Sequence, residues 1–114
     1  MKLNYYQDPG HGWIGVKRKL VQELGIEDKI SSCSYQRGQS VYLEEDCDAS
    51  LLIEALKAKG IDVELIHKHT DKRHPIRSYE SFKWVLKLGE SMIQISCGEN
   101  QMKTHALNLP FARA

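Results

Sequence analysis

The sequence predicts an α+β fold in which two helices pack on one face of a mainly antiparallel sheet. Two segments carry apolar residues at helical spacing, and each is followed by a glycine that can end a helix. Other segments alternate apolar and polar residues, which is the period of a half-buried strand. The predicted order of strand, helix, strand, strand, helix and strand is typical of a ferredoxin-like sandwich.

A strand and a helix are expected near the start of the chain. Residues 13–16 form a short apolar stretch that is predicted to be a strand. Apolar residues then recur at helical spacing, which predicts a helix from Lys17 to Leu24. Gly25 is placed to end this helix, because glycine readily adopts the left-handed conformation of a helix stop.

The middle of the chain is expected to form a hairpin and the second helix. Residues 30–36 and 40–45 flank Gly38, whose positive φ would allow the tight turn of a hairpin. Asp48 is expected to cap a helix from Ala49 to Lys59. The acidic residues that precede this helix would be stabilised by its dipole, and the alternative is that they dock a basic partner.

A last core strand and an added hairpin complete the single domain predicted for residues 1–114. Residues 61–69 alternate as a strand, and residues 83–97 are expected to form a C-terminal hairpin added to a core of about residues 3–82. Residues 98–114 have weak periodicity and are expected to be a loosely held tail. Apolar strand residues are expected to point at apolar helix residues, namely Val41, Leu43, Val63 and Leu65 at Leu20, Leu24, Leu52 and Leu56.

Composition and charge exclude several classes of protein. The chain has 114 residues, with 16 Lys and Arg against 15 Asp and Glu and a net charge of +1. This balance excludes a globally basic nucleic-acid binder and an acidic nucleic-acid mimic, while local patches stay open. No apolar run approaches the roughly 20 residues of a membrane span, and the first residues do not resemble a secretory signal. The three cysteines have no C-x-x-C spacing, which indicates reduced thiols, so we expect a cytoplasmic protein with no membrane partner.

His11 lies between two glycines in the turn-rich segment from Asp8 to Trp13, which predicts a tight exposed loop. The five residues Asp8-Pro-Gly-His-Gly12 resemble the strand-end motif of the zinc-dependent N-acetylmuramoyl amidases. That resemblance implies a zinc-dependent hydrolase with His11 as a metal ligand. The alternatives are a simple turn and a loop that contacts a partner.

His67 and His69 are a second candidate for metal binding. On a strand, residues i and i+2 point the same way, so both imidazoles could reach one ion. The same pattern is typical of a packed rim at the edge of a core. We therefore expect no cofactor and no metal, and if a metal is bound, His11, His67 and His69 are the expected ligands.

A basic segment follows the last predicted core strand. It contains Lys68, Lys72, Arg73 and Arg77, and Tyr79 comes shortly after it. Cations beside aromatic rings can hold phosphates and stack on bases or guanidinium groups. The segment is therefore a solvated loop, a protein-binding surface or a nucleic-acid contact.

Several short motifs between Tyr5 and Phe82 carry a second resemblance. They are Asp8-Pro-Gly-His-Gly-Trp13, Leu24-Gly-Ile26, Ser34-Tyr-Gln-Arg-Gly38, Val41-Tyr-Leu-Glu-Glu-Asp46, His69-Thr-Asp71 and Ile76-Arg-Ser-Tyr79. Together they resemble a group of small, uncharacterised accessory proteins of bacteriophages and plasmids. The resemblance implies a bacterial cytoplasm, where such domains often bind and block host defence machinery, and it implies no catalytic residue.

The leading hypothesis is a non-enzymatic binding protein that inhibits a host defence system, of the anti-CRISPR or anti-restriction type, by occupying a surface of its target. The partner would be a host protein or a ribonucleoprotein complex. The alternatives are a small nucleic-acid-binding regulator and the zinc-dependent hydrolase centred on His11. The expected contact residues are Asp8, His11, Trp13, Arg37, Lys68, Lys72, Arg73, Arg77 and Tyr79, since arginine and aromatic residues dominate binding hot spots.

Overall fold

The computed structural model describes residues 1–88 and 91–95, and the side chains of residues 1–84. The described part contains two α-helices, α1 (Arg18–Glu23) and α2 (Ala49–Ala58). Its strands are β1 (Lys2–Gln7), β2 (Gly12–Lys17), β3 (Tyr35–Arg37), β4 (Ser40–Glu44), β5 (Glu64–His69), β6 (Glu80–Ser81), β7 (Trp84–Leu88) and β8 (Ser91–Ile95). Short 3-10 turns span Glu27–Lys29 and Pro75–Ser78.

Six strands form one sheet in the order β5-β1-β2-β4-β3-β6. All neighbouring strands are antiparallel except β1 and β5, which are parallel. The predicted α+β class is therefore confirmed. The ferredoxin-like layout is not confirmed, because residues 2–7, for which no strand was predicted, form β1 between β2 and β5.

Both helices end by the chemistry that the sequence predicts. Gly25 and Gly60 have positive φ values of 72° and 76°. The residue after each glycine donates its backbone N–H to a carbonyl five residues earlier, at 3.1 Å from Val21 O and 3.0 Å from Leu56 O. These bonds satisfy carbonyls that the helix end would otherwise leave unpaired.

Asp48 was predicted to cap α2, and it does hold the N-cap position. Its carboxylate, however, makes no capping hydrogen bond to the helix. It accepts instead from the backbone N–H and hydroxyl of Ser31 and from the hydroxyl of Ser34. The carboxylate thereby ties the loop before β3 to the start of α2, and β3 begins at Tyr35 rather than at residue 30.

The main core lies between the two helices and one face of the sheet. Alternate strand residues point inward, so that Ile14 pairs with Leu43 and Val16 with Val41 across β2 and β4. The predicted inner residues join one cluster, with Val41, Leu43, Leu52 and Leu56 buried and Leu20, Leu24, Val63 and Leu65 packed against them. Phe82, which follows β6, is also fully buried in this cluster.

The C-terminal part is described only as far as residue 95. β7 and β8 pair with each other as a separate antiparallel sheet of two strands. The predicted hairpin over 83–97 lies partly outside the described residues, and the predicted tail over 98–114 lies wholly outside them. Within the described residues, no helix is long and apolar enough to cross a membrane.

Candidate functional site

Among the described residues, the second face of the sheet carries no α-helix, and we call it the helix-free face. Strand alternation places Tyr6, Trp13, Tyr35 and Tyr42 on it. Residues 74–79 cross this face, bringing the rings of His74 and Tyr79 to 5.4 Å from Tyr6 and 5.3 Å from Tyr42. The face presents a cleft at one end and a groove at the other.

Asp8 anchors the crossing segment. Its side chain is fully buried, and Oδ2 accepts from Arg77 Nε at 2.6 Å and from the backbone N–H of His74 at 3.0 Å. Oδ1 accepts from Arg77 Nη2 at 2.8 Å and from the backbone N–H groups of Gly10 and His11, each at 3.0 Å. The Arg77 guanidinium holds the pKa of Asp8 well below its ordinary range, so the carboxylate stays charged.

The loop from Asp8 to Trp13 is therefore exposed only at its tip, which is Pro9, Gly10 and His11. Asp8 and Trp13, both expected as contact residues, are buried in the structure. Trp13 is 1% exposed, and the Arg77 guanidinium lies 5.7 Å from the centre of its ring. Asp8 and Trp13 therefore hold the loop in place from inside the protein, and His11 is the part of the loop that faces outward.

The cleft has a volume of about 340 Å³. It is lined by His11, Trp13, Cys33, Tyr35, Glu44, Asp46, Cys47 and Arg77. His11 Nδ1 lies 3.1 Å from Oε2 of Glu44, which is buried. The other Glu44 oxygen accepts from the backbone N–H groups of Asp46 at 2.7 Å and Cys47 at 3.1 Å. The cleft thus brings an imidazole, two carboxylates and two thiols together.

Cys33 and Cys47 are free thiols at this cleft. A hydrogen bond between them, together with burial and the nearby Glu44 carboxylate, raises the pKa of Cys47 to about 12. Cys47 is therefore a protonated thiol at neutral pH. A nucleophilic role, which needs a thiolate, finds no support in this geometry.

The groove has a volume of about 280 Å³ and lies between Tyr6 and Tyr42. Its floor includes Gly15, and a Cβ atom there would stand 2.9 Å from Cε2 of Tyr6. The two tyrosine rings meet edge to face with their centres 6.0 Å apart. Burial raises the pKa of Tyr42, so its phenol is neutral at physiological pH.

Exposed cations surround this groove. The helix-free face of β1 to β5 carries Lys2, Lys17, Arg37 and Lys68, and outside the cleft its single acidic residue is Glu64. The Arg37 guanidinium lies 5.0 Å over the ring of Tyr79 and donates to its hydroxyl at 3.0 Å. We call the groove together with Lys17, Arg37, Lys68 and Tyr79 the basic face.

The remaining predicted contact residues lie in the segment after β5. Lys72 and Arg73 are exposed, and Arg73 Nη1 donates to the Ser78 hydroxyl at 3.0 Å. Arg77 is half-buried and pairs with the buried carboxylate of Asp8 instead. The predicted basic segment is therefore split between an exposed part and a structural part.

His67 and His69 share one side of β5, as the alternation predicted, but they do not join His11. His67 packs edge-on against Tyr5 with ring centres 5.4 Å apart, and His69 Nε2 lies 3.1 Å from Asp71 Oδ1. Among the described residues, the group able to hold a metal ion is His11 with Glu44 and Asp46. The structure therefore does not assemble the predicted ligand set of His11, His67 and His69.

Several residues of both sites were not predicted. Glu44 and Asp46 were interpreted as helix-dipole residues, and Tyr6, Lys17 and Tyr42 were assigned no function. The alternation in 40–45 contains a signal that could have found two of them. If Val41 and Leu43 point inward, Tyr42 and Glu44 must point to the opposite face.

Comparison of the chain with protein-family models, with curated proteins and with solved structures finds no match. The functional argument therefore depends on the geometry of the cleft and of the basic face.

Proposed function

We propose that the protein is a small, non-enzymatic binding protein whose basic face contacts single-stranded nucleic acid. One observation carries the proposal. The rings of Tyr6 and Tyr79 each contact the ring of Tyr42 beside four exposed cations on the helix-free face, where strands β1 to β5 carry one acidic residue outside the cleft. A surface of stacked aromatics and cations is what single strands require, because bases stack on rings and phosphates pair with Lys and Arg.

The charge distribution supports a local nucleic-acid contact. The whole chain has a net charge of only +1, so the cations on this face are concentrated rather than typical of the surface. Lys17 and Lys68 are fully available, since neither forms an ion pair among the described residues. Arg37, placed on the ring of Tyr79, extends the stacking surface at the turn between β3 and β4.

We place this binding activity in the cytoplasm of a bacterial host, in line with the resemblance to accessory proteins of phages and plasmids. There the protein would inhibit a defence complex by occupying the surface that holds its RNA or DNA strand. An acidic surface of a host protein is the second candidate ligand. The Arg37–Tyr79 pair favours it, because arginine and tyrosine are the residue types enriched in protein hot spots.

Fluorescence anisotropy with labelled single-stranded DNA and RNA tests the proposal. The double variant Lys17→Ala/Lys68→Ala removes two cations from the basic face. Lys57→Ala/Lys59→Ala, which removes two exposed cations at the end of α2, is the matched control. We expect the first variant to bind at least tenfold more weakly at low salt, with the salt-dependence slope smaller by roughly 0.7 for each lost phosphate contact. The control should bind as the wild type does.

Two results would decide against a nucleic-acid ligand. One is failure of the wild type to bind any strand, and the other is an equal loss in both double variants. The protein alternative is then tested by affinity capture from bacterial lysate treated with nuclease. A captured acidic protein that is lost with Lys17→Ala/Lys68→Ala, but retained with the α2 control, would identify the second candidate.

A further inference from the structure

We propose that the cleft binds a divalent transition-metal ion, such as Zn²⁺, through His11, Glu44 and Asp46. This site goes beyond the proposed nucleic-acid contact, since it lies at the other end of the helix-free face and uses different residues. It also differs from the ligand set expected from the sequence, because it contains neither His67 nor His69.

The donor atoms have the spacing that such an ion needs. Imidazole nitrogen and carboxylate oxygen bind Zn²⁺ at about 2.0–2.2 Å, which places neighbouring ligands of a tetrahedral ion roughly 3.4 Å apart. His11 Nδ1 and Glu44 Oε2 are 3.1 Å apart, and ligand atoms of all three residues lie within 4.8 Å of one another. The atoms are therefore gathered before any ion binds.

The electrostatics of Glu44 provide an independent reason. Its side chain is 8% exposed, and no Lys or Arg of the described residues forms an ion pair with it. Arg77 reaches the cleft, but its guanidinium is held by Asp8. Among the described residues His11 is the ion-pair partner of Glu44, and only when its imidazole is protonated. Where His11 is neutral, Glu44 is a buried carboxylate without a counter-charge, and a divalent ion would supply that charge.

The structure also fixes the ligands from behind. The turn that presents His11 is closed by two hydrogen bonds to Asp8 Oδ1 and by the bond from Asp8 N–H to His11 O at 2.9 Å. Glu44 is oriented by the backbone N–H groups of Asp46 and Cys47. Such supporting contacts hold metal ligands in place and raise metal affinity.

The ligand set indicates which class of ion the cleft would take. It contains the imidazole of His11 beside the carboxylates of Glu44 and Asp46. An imidazole donor favours Zn²⁺ and related ions, whereas Mg²⁺ and Ca²⁺ prefer oxygen alone. We therefore expect Zn²⁺ to bind more tightly than Mg²⁺.

Isothermal titration of the reduced, metal-free full chain with Zn²⁺ tests this site. The wild type should bind one ion per chain. His11→Gln and Asp46→Asn alter exposed residues, so both variants should fold, and each should weaken Zn²⁺ binding at least tenfold. His69→Gln and Asp71→Asn are the matched controls, because they change a second His–carboxylate pair at the same 3.1 Å separation. Each control should bind Zn²⁺ with an affinity within about twofold of the wild-type affinity.

Three outcomes would overturn the assignment. They are absence of saturable Zn²⁺ binding, unchanged affinity in both cleft variants, and an equal loss in the His69 or Asp71 controls. Tighter binding of Mg²⁺ than of Zn²⁺ would overturn the class of ion. None of these results depends on oligonucleotide binding, so this site and the proposed function can fail separately.

Discussion

The two ends of the helix-free face are made by the same strands and have opposite chemistry. β2 gives Trp13 to the cleft and Gly15 to the groove, and β4 gives Glu44 to the cleft and Tyr42 to the groove. Residues 74–79 contact both ends, with the His74 ring 6.1 Å from that of Trp13 and the Tyr79 ring 5.3 Å from that of Tyr42, yet Trp13 is buried and Tyr42 is half-exposed. The same strands therefore hold a buried carboxylate at one end and an open aromatic surface at the other.

The helix-packed core supports both ends equally, so the largest effect should come from breaking it. Leu56 is fully buried in the core. Leu56→Ala should lower the free energy of unfolding by about 2–5 kcal/mol, because it removes buried methyl groups and leaves a cavity. Urea denaturation measures this loss. Leu51, which is half-buried on the same helix, is the control, and an equal loss in Leu51→Ala would contradict the assigned packing.

The next-largest loss of stability should come from a change beside the cleft. Asp8→Ala removes the buried carboxylate that holds Arg77 and the turn before His11. Its loss leaves Arg77 and the backbone N–H groups of Gly10, His11 and His74 without their acceptor, so the variant should unfold at lower urea than the wild type. Asp71→Ala is the control, since the Asp71 side chain is 97% exposed. Its free energy of unfolding should stay within about 0.5 kcal/mol of the wild-type value.

Tryptophan fluorescence extends the Asp8→Ala comparison. Trp13 lies under the segment that Asp8 anchors, so its emission should shift toward that of a solvated indole while the core stays folded. Unchanged emission and unchanged stability in Asp8→Ala would show that Asp8 does not hold the covering segment.

Part of the Asp8 contribution should depend on pH. The folded-state pKa of Asp8 lies below its unfolded value of about 3.9, so its stabilisation is complete above that value and is lost as pH falls. The stability difference between the wild type and Asp8→Asn should therefore be largest near pH 7 and should narrow below about pH 4. Urea titrations from pH 7 down to about pH 2 measure it, and a difference that stays constant over this whole range would contradict the ion pair.

Loss of an aromatic ring from the groove should have a smaller effect than the core and Asp8 variants. It should lower nucleic-acid affinity and leave stability unchanged. Tyr42→Leu keeps an apolar side chain but removes a stacking surface, so affinity for a single strand should fall by about 1–3 kcal/mol. Zn²⁺ binding at the cleft should be unaffected. Tyr5→Leu is the control, because Tyr5 lies on the helix-packed face of β1. Equal loss of strand affinity in both variants would show that Tyr42 does not contact the bases.

The sequence predicted best the elements whose ends depend on interactions between residues close together in the chain. The ends of α1 and α2 depend on Gly25 and Gly60 and on bonds within a few residues. β1 was missed because its stability comes from pairing with β2 and β5 on its two sides rather than from an apolar pattern of its own.

The candidate sites were predicted only in part, because their decisive contacts join distant residues. Arg77 meets Asp8 across 69 positions, and His11 meets Glu44 across 33. The sequence singled out Asp8, His11 and Arg77, but only tertiary folding shows that two of them support the third. From the sequence alone, the acidic residues before α2 fit a helix-dipole role as well as they fit a site. The structure decides between the two by showing that Glu44 contacts His11.

The central claim is that the basic face binds single-stranded nucleic acid. NMR mapping of the residues that contact an oligonucleotide tests it most directly. Backbone amide shifts of the full chain are followed as an unlabelled single-stranded oligonucleotide is added. The proposed function predicts saturable shifts at Gly15, Lys17, Tyr42 and Lys68, with α2 unchanged. Saturable shifts confined to α2 or to the cleft around His11 and Asp46, with the groove unmoved, would contradict it.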